Sequence, residues 1–126
     1  MFRAAIWPAL LAVSLYASGL GSGFIYDDET LMVDSSRLVT ATPRLAFTSD
    51  YWGPPLNGWK SMHYRPLAML AYSGIHSVFG ISPFAFHSAN VLMHAAATAS
   101  FYWLLLALGY GTGVSMAAAL LFAAHP

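Results

Sequence analysis

Three carboxylates stand together at Asp27, Asp28 and Glu29, directly after an apolar run that closes with Gly23-Phe24-Ile25-Tyr26. The chain has only five acidic residues, so more than half of its carboxylates lie in this one place. A carboxylate at the mouth of a membrane helix is partly desolvated; it can take a proton, bind a hydroxyl or face a phosphorylated lipid. The plain alternative is that the three acids end a helix and solvate the loop beyond it. A second group is His63-Tyr64-Arg65-Pro66-Leu67. It sets an arginine where proline opens a helix, and helix N-termini and guanidinium groups both favour anions, phosphate among them. A salt bridge from Arg65 to Asp27, Asp28 or Glu29 is the competing use. The third group is His87, Asn90, His94 and Thr98, at i, i+3, i+7 and i+11 on one stripe of a single helix. A polar stripe on an apolar helix must face protein or a wet cavity, so it either lines a site or bonds a neighbouring helix. His87 and His94 lack the i, i+4 spacing of a helical zinc pair, and no metal follows from them. With no cysteine in the chain, thiolate nucleophiles, disulfides and Cys-ligated zinc are excluded. No nucleotide loop or nucleophile elbow is present, and no cofactor is implied.

The elements that must hold these groups are apolar helices. The composition is 58% hydrophobic and 8% charged, with a mean hydropathy of +0.59. That is too little charge to clothe a soluble surface, for which roughly 25% is usual, so the class is an integral membrane protein in contact with a lipid bilayer. Formal net charge is zero without a basic block, which argues against nucleic acid as partner. Residues 4–23 are predicted as a first span, roughly 20 residues and about 30 Å long. A cleaved signal peptide ending at Ala17-Ser18-Gly19 is the rival reading of that segment. Residues 24–82 form a long first loop, with helix starts expected at Asp34-Ser35-Ser36 and at Thr40-Ala41-Thr42-Pro43, and an aromatic turn at Asp50-Tyr51-Trp52-Gly53-Pro54-Pro55. Within it, 66–80 reads as an interfacial helix opened by Pro66 and ended by Gly80. Residues 83–108 give a second helix and span, 109–113 a tight turn, and 113–124 the start of a third span. Arg3 places the N-terminus inside. Arg37, Arg44, Lys60 and Arg65 then lie outside in a loop of roughly 60 residues, where the positive-inside rule fades. The chain stops directly after an apolar run at Ala123-Ala124-His125-Pro126, which reads as the N-terminal piece of a longer protein.

Six motifs in order carry a resemblance. They are the first apolar span, Gly23-Phe24-Ile25-Tyr26-Asp27-Asp28, Asp50-Tyr51-Trp52-Gly53, Tyr64-Arg65-Pro66-Leu67, Phe86-His87-Ser88-Ala89-Asn90-Val91-Leu92-Met93-His94, and Leu120-Leu121-Phe122-Ala123-Ala124-His125-Pro126. This pattern resembles the N-terminal part of the transmembrane and tetratricopeptide-repeat O-mannosyltransferases and their bacterial relatives. The resemblance implies an all-α integral membrane fold, the N-terminal fragment of a GT-C-type multi-spanning bundle. It implies a donor sugar on a polyprenyl or dolichyl phosphate, with mannose a candidate, and an acceptor hydroxyl on protein or glycan. The first loop would then be periplasmic or lumenal, in a bacterial inner membrane or the endoplasmic reticulum, and would carry the acidic catalytic motif. Asp27 matches the first acid of that motif and is the expected general base of an inverting transfer. Asp28, Arg65 and His125 are the expected substrate-binding residues, and His87, Asn90 and His94 the expected cavity lining. The family often has Asn at position 34 and Phe at position 51, where this chain has Asp34 and Tyr51. Further spans and a repeat domain would complete such an enzyme, so the fragment alone is expected to be inactive. A small non-catalytic membrane scaffold, with the acids as a solvated boundary, is the alternative function.

Overall fold

The computed structural model describes residues 2–34, 38–53 and 62–125. Arg37, Lys60, Pro54, Pro55 and Pro126, together with Ser35 and Ser36 of one expected helix start, lie outside the described residues. The described residues are helical or irregular, with no strand among them. The helices are α1 (Ile6–Tyr16), α2 (Pro43–Thr48), α3 (Pro66–Phe79), α4 (Pro83–Ala107) and α5 (Thr112–Ala124). Short 3₁₀ segments flank α1 at Phe2–Ala5 and Ala17–Gly21. The chain divides into two compact units, one of residues 1–21 and 87–126, the other of 22–86.

The first unit packs α1, the greater part of α4, and α5 through small residues. Ala5 and Ala119 bury with Tyr102, and Ala12, Ala95 and Ala123 form a second layer. Alanines at the contact let helix backbones approach closely, the usual packing where lipid removes any hydrophobic drive between helices. The large apolar side chains point the other way: Trp7 is 66% exposed and Leu121 74%. Small residues inside and large apolar residues outside suit a hydrocarbon solvent. Two helical stretches, Arg3–Gly21 and Pro83–Ala107, are long and apolar enough to cross a membrane, and α5 is shorter. The fold is therefore that of an all-α membrane protein. The turn into α5 is tighter than the glycines suggest. Gly109, with φ of +87°, takes the left-handed turn, and helix resumes at Thr112, so Gly113 lies inside α5.

The second unit has a conventional core. Leu31, Met32, Leu38, Val39, Ala46, Met69 and Phe86 are buried together, with Phe24, Tyr51 and Tyr72 against them. The Phe24 and Phe86 rings meet edge to face at 5.7 Å. Thr42 caps α2, its Oγ1 accepting from the Leu45 N–H at 3.2 Å, and Pro43 follows at the first helical position. Gly80, at φ +65°, closes α3 with its N–H on the His76 carbonyl. The acids do more than end a helix. Tyr26 turns the chain at φ +50°, Asp27 and Asp28 then begin a new helical turn, and Glu29–Asp34 continue it as a π-helix. Asp34 is the last described residue of that segment, and its Leu31 and Met32 anchor it in the core.

Candidate functional site

In the second unit the site is built around Tyr51. Asp50 makes an Asx turn, its Oδ1 accepting the Trp52 N–H at 2.9 Å, while the Gly53 N–H closes the turn on the Asp50 carbonyl at 3.1 Å. Gly53, at φ +97°, supplies the conformation the turn needs. The other carboxylate oxygen of Asp50 accepts the His63 N–H at 3.2 Å, and the Tyr51 N–H donates to the His63 carbonyl at 2.8 Å. Tyr64 Oη donates to the Phe47 carbonyl at the end of α2, at 3.2 Å. These bonds pin the segment before α3 against the aromatic turn. Arg65, which precedes Pro66 at the head of α3, is thereby set with its guanidinium 5.5 Å from the centre of the Tyr51 ring.

Burial pushes the Tyr51 phenol up from 10.0 to about 12; the neighbouring Tyr72 and the Asp28 and Asp27 carboxylates push the same way, and Arg65 opposes them. Asp27, Asp28 and Arg65 therefore share one electrostatic neighbourhood, centred on a phenol that stays protonated. Asp27 is exposed and Asp28 half-buried, so Asp27 is the more accessible carboxylate of the pair. Of these groups, the exposed Asp27 carboxylate can accept a proton and the Arg65 guanidinium can face an anion. The sequence does not mark Tyr51, Asp50 or Tyr72 as site residues; the D-Y-W-G turn was the available signal.

The first unit has its own site. Tyr16, Gly19, His87, Asn90, Val91, His94 and His125 line a cavity of about 370 Å³. The polar stripe of α4 and the histidine after α5 are thus brought together, along with two α1-side residues that no local pattern announces. Thr98 is not part of the lining. It is buried, and its Oγ1 donates to the His94 carbonyl one turn back, at 2.8 Å. His94 works in two directions. Its Nε2 lies 3.2 Å from the Ala123 carbonyl, a contact that requires the proton on Nε2 because a carbonyl only accepts. Its ring stacks on Phe122 at 5.6 Å and takes the edge of Tyr16 at 5.2 Å. It therefore bonds a neighbouring helix and lines the cavity at once. Among the described residues, no three His, Asp or Glu side chains are grouped to hold a metal ion.

No family model matches the chain, and no solved structure matches it. Similar proteins are found among curated sequences. Human protein O-mannosyl-transferase TMTC2 is 37% identical over 121 residues, which is 92% of this chain and 14% of the relative. Protein O-mannosyl-transferase Tmtc2 of Drosophila melanogaster is 36% identical over 119 residues, 92% of this chain and 13% of that protein. Mouse protein O-mannosyl-transferase TMTC3 is 32% identical over 118 residues, again 92% of this chain and 13% of the relative. The chain spans about one seventh of the length of these relatives. Its acidic turn, arginine and histidine stripe lie within that shared region, over which the chain is similar to the protein O-mannosyl-transferases TMTC2 and TMTC3.

Proposed function

We propose that this chain carries the acceptor-activating part of a membrane glycosyltransferase. The donor is a sugar, with mannose the candidate, on a polyprenyl or dolichyl phosphate. The acceptor is a hydroxyl of a protein or glycan. The observation that carries the reading is the match, over 92% of the chain, to proteins named protein O-mannosyl-transferases. The gathering of Asp27, Asp28 and Arg65 around Tyr51 supports it with a usable arrangement of charge.

In the proposed step, Asp27 takes the proton of the acceptor hydroxyl as its oxygen bonds to the anomeric carbon. The bond from that carbon to the phosphate oxygen breaks, its electrons leave with the lipid phosphate, and the configuration inverts. The phosphate is already a good leaving group, so no second carboxyl acting as acid is required, unlike the usual glycosidase pair. Asp28 positions the acceptor or holds Asp27. Arg65 offsets charge on the departing phosphate. His125 contributes to substrate binding, and His87, Asn90 and His94 line the cavity of the other unit. The first loop, residues 24–82, faces the periplasm or the endoplasmic reticulum lumen, with residues 4–23 and 83–108 as the flanking spans and 113–124 beginning a third.

The test uses the protein expressed from its intact gene, with a mannosyl-phosphate lipid as donor. Asp27→Asn keeps size and most hydrogen bonding but cannot accept the proton, so turnover should fall about 10²–10⁴-fold. Asp28→Asn should cost less and act more on acceptor KM. Unchanged turnover in both variants would reduce the acids to a solvated helix boundary.

A further inference from the structure

An arginine that acts on the same phenol as two carboxylates would ordinarily be expected to pair with one of them. Such a pair would discharge the cation and hold the carboxylate in its charged form, making a poorer base. Here, among the described residues, the group against the Arg65 guanidinium is the face of Tyr51, at 5.5 Å, rather than a carboxylate. An aromatic face attracts a cation through its quadrupole and leaves the positive charge in place. At exposed sites this attraction is comparable to that of a surface ion pair, so it can compete for the arginine.

The surrounding bonds hold the pair in register. Asp50 is engaged with the backbone N–H groups of Trp52 and His63. The Tyr51 N–H to His63 carbonyl bond fixes the turn to the segment leading to Arg65. Tyr51 also packs on the buried core, which limits movement of its ring. We propose that Tyr51 is a positioning residue, whose ring holds Arg65 as an un-neutralised cation, available to the phosphate of a lipid carrier. The inference rests on the proposed function for the identity of that anion. The raised phenol ionisation is consistent with it, since a phenolate would itself pair with the guanidinium.

The experiment measures the affinity of a sugar-free polyprenyl phosphate in detergent for the protein from its intact gene. The variants are Tyr51→Phe, Tyr51→Trp, Tyr51→Leu, Arg65→Met, and Tyr51→Leu combined with Arg65→Met. Tyr51→Phe keeps the face and should bind within about twofold of the parent. Tyr51→Trp, with the strongest face, should bind at least as tightly. Tyr51→Leu should weaken binding about 2- to 30-fold and raise the donor KM by the same factor with little change in kcat. The double variant should bind no more weakly than Arg65→Met, because the ring acts through the arginine. Normal affinity in Tyr51→Leu, equal losses in Phe and Leu, a loss in Trp, or full additivity in the double variant would each overturn the proposal. Should Tyr51→Leu fail to fold, the Phe and Trp results still decide it. Phosphate binding with this pattern but without sugar transfer overturns the proposed function and leaves Tyr51's role standing. Sugar transfer with unchanged affinity in Tyr51→Leu overturns this inference alone.

Discussion

Two tyrosines of the second unit make predictions of their own. Tyr51 is the first. Its neutral form is favoured in the fold, so its contribution to stability is complete below the ordinary tyrosine range near 10.0 and is lost as pH rises through about 12. In a phenolate absorbance titration, one tyrosine should therefore ionise well after the exposed ones, and that late step should vanish in Tyr51→Phe. A titration with no late component would show the phenol to be solvated. Tyr26 is the second. It adopts φ +50° while 88% exposed, a left-handed conformation that a bulky residue adopts at a cost and with no packing in return. The left-handed region costs such a residue about 1–2 kcal/mol, and glycine gives back about 0.5–1 through its freer unfolded chain. Tyr26→Gly should stabilise the second unit by roughly 0.5–1 kcal/mol, read from denaturant unfolding. If activity falls while stability rises, the strain serves to aim Asp27. If both fall, the Tyr26 side chain has a role beyond its backbone.

At the scale of elements, what was legible had a local cause. Thr42-Pro43, Pro66 and Pro83 each mark a helix start, and Gly80 and Gly109 mark ends, because capping and left-handed turns depend on neighbours in sequence. The stripe of α4 was legible for the same reason: helical spacing alone places His87, Asn90 and His94 on one side. The helical segment after Asp27 was not legible, because its buried residues, Leu31 and Met32, are adjacent rather than three or four apart. Tyr16 and Gly19 were missed because their partners in the cavity come from α4 and the end of α5, distant in sequence. His94 shows what such long-range contacts do. The last four carbonyls of a helix lack helical partners, and His94 serves that of Ala123 on α5. His94→Leu should leave that carbonyl unpaired and lose about 1–3 kcal/mol of bundle stability, measured by thermal unfolding in detergent. A change near zero would mean that water or another group takes over the carbonyl.

At the scale of the molecule, the decisive property is which side of the membrane each segment occupies. The first unit wears its large apolar side chains on the outside, so Arg3–Gly21 and Pro83–Ala107 have the length, composition and exposed surface of spans. With both crossing, the segment between them lies on one side and the turn after α4 on the other. Two exposed positions report this directly: Met62, 86% exposed, and Tyr110, 54% exposed. The chain has no cysteine, so a single cysteine introduced at either position is the only thiol present. In sealed vesicles of known orientation, an impermeant thiol reagent should label Met62→Cys from one side and Tyr110→Cys from the other. Labelling of both from the same side would mean that α4 does not cross the membrane. The rival reading of the first segment gives a different outcome: cleavage near Gly19 would remove Arg3 and all of α1, seen as a shortened intact mass. That loss would take Tyr16 from the cavity and Ala12 from the layer against Ala95 and Ala123. An uncleaved chain with opposite labelling would put Asp27 and Arg65 on the same side as Met62, the side from which the proposed transfer must draw its acceptor.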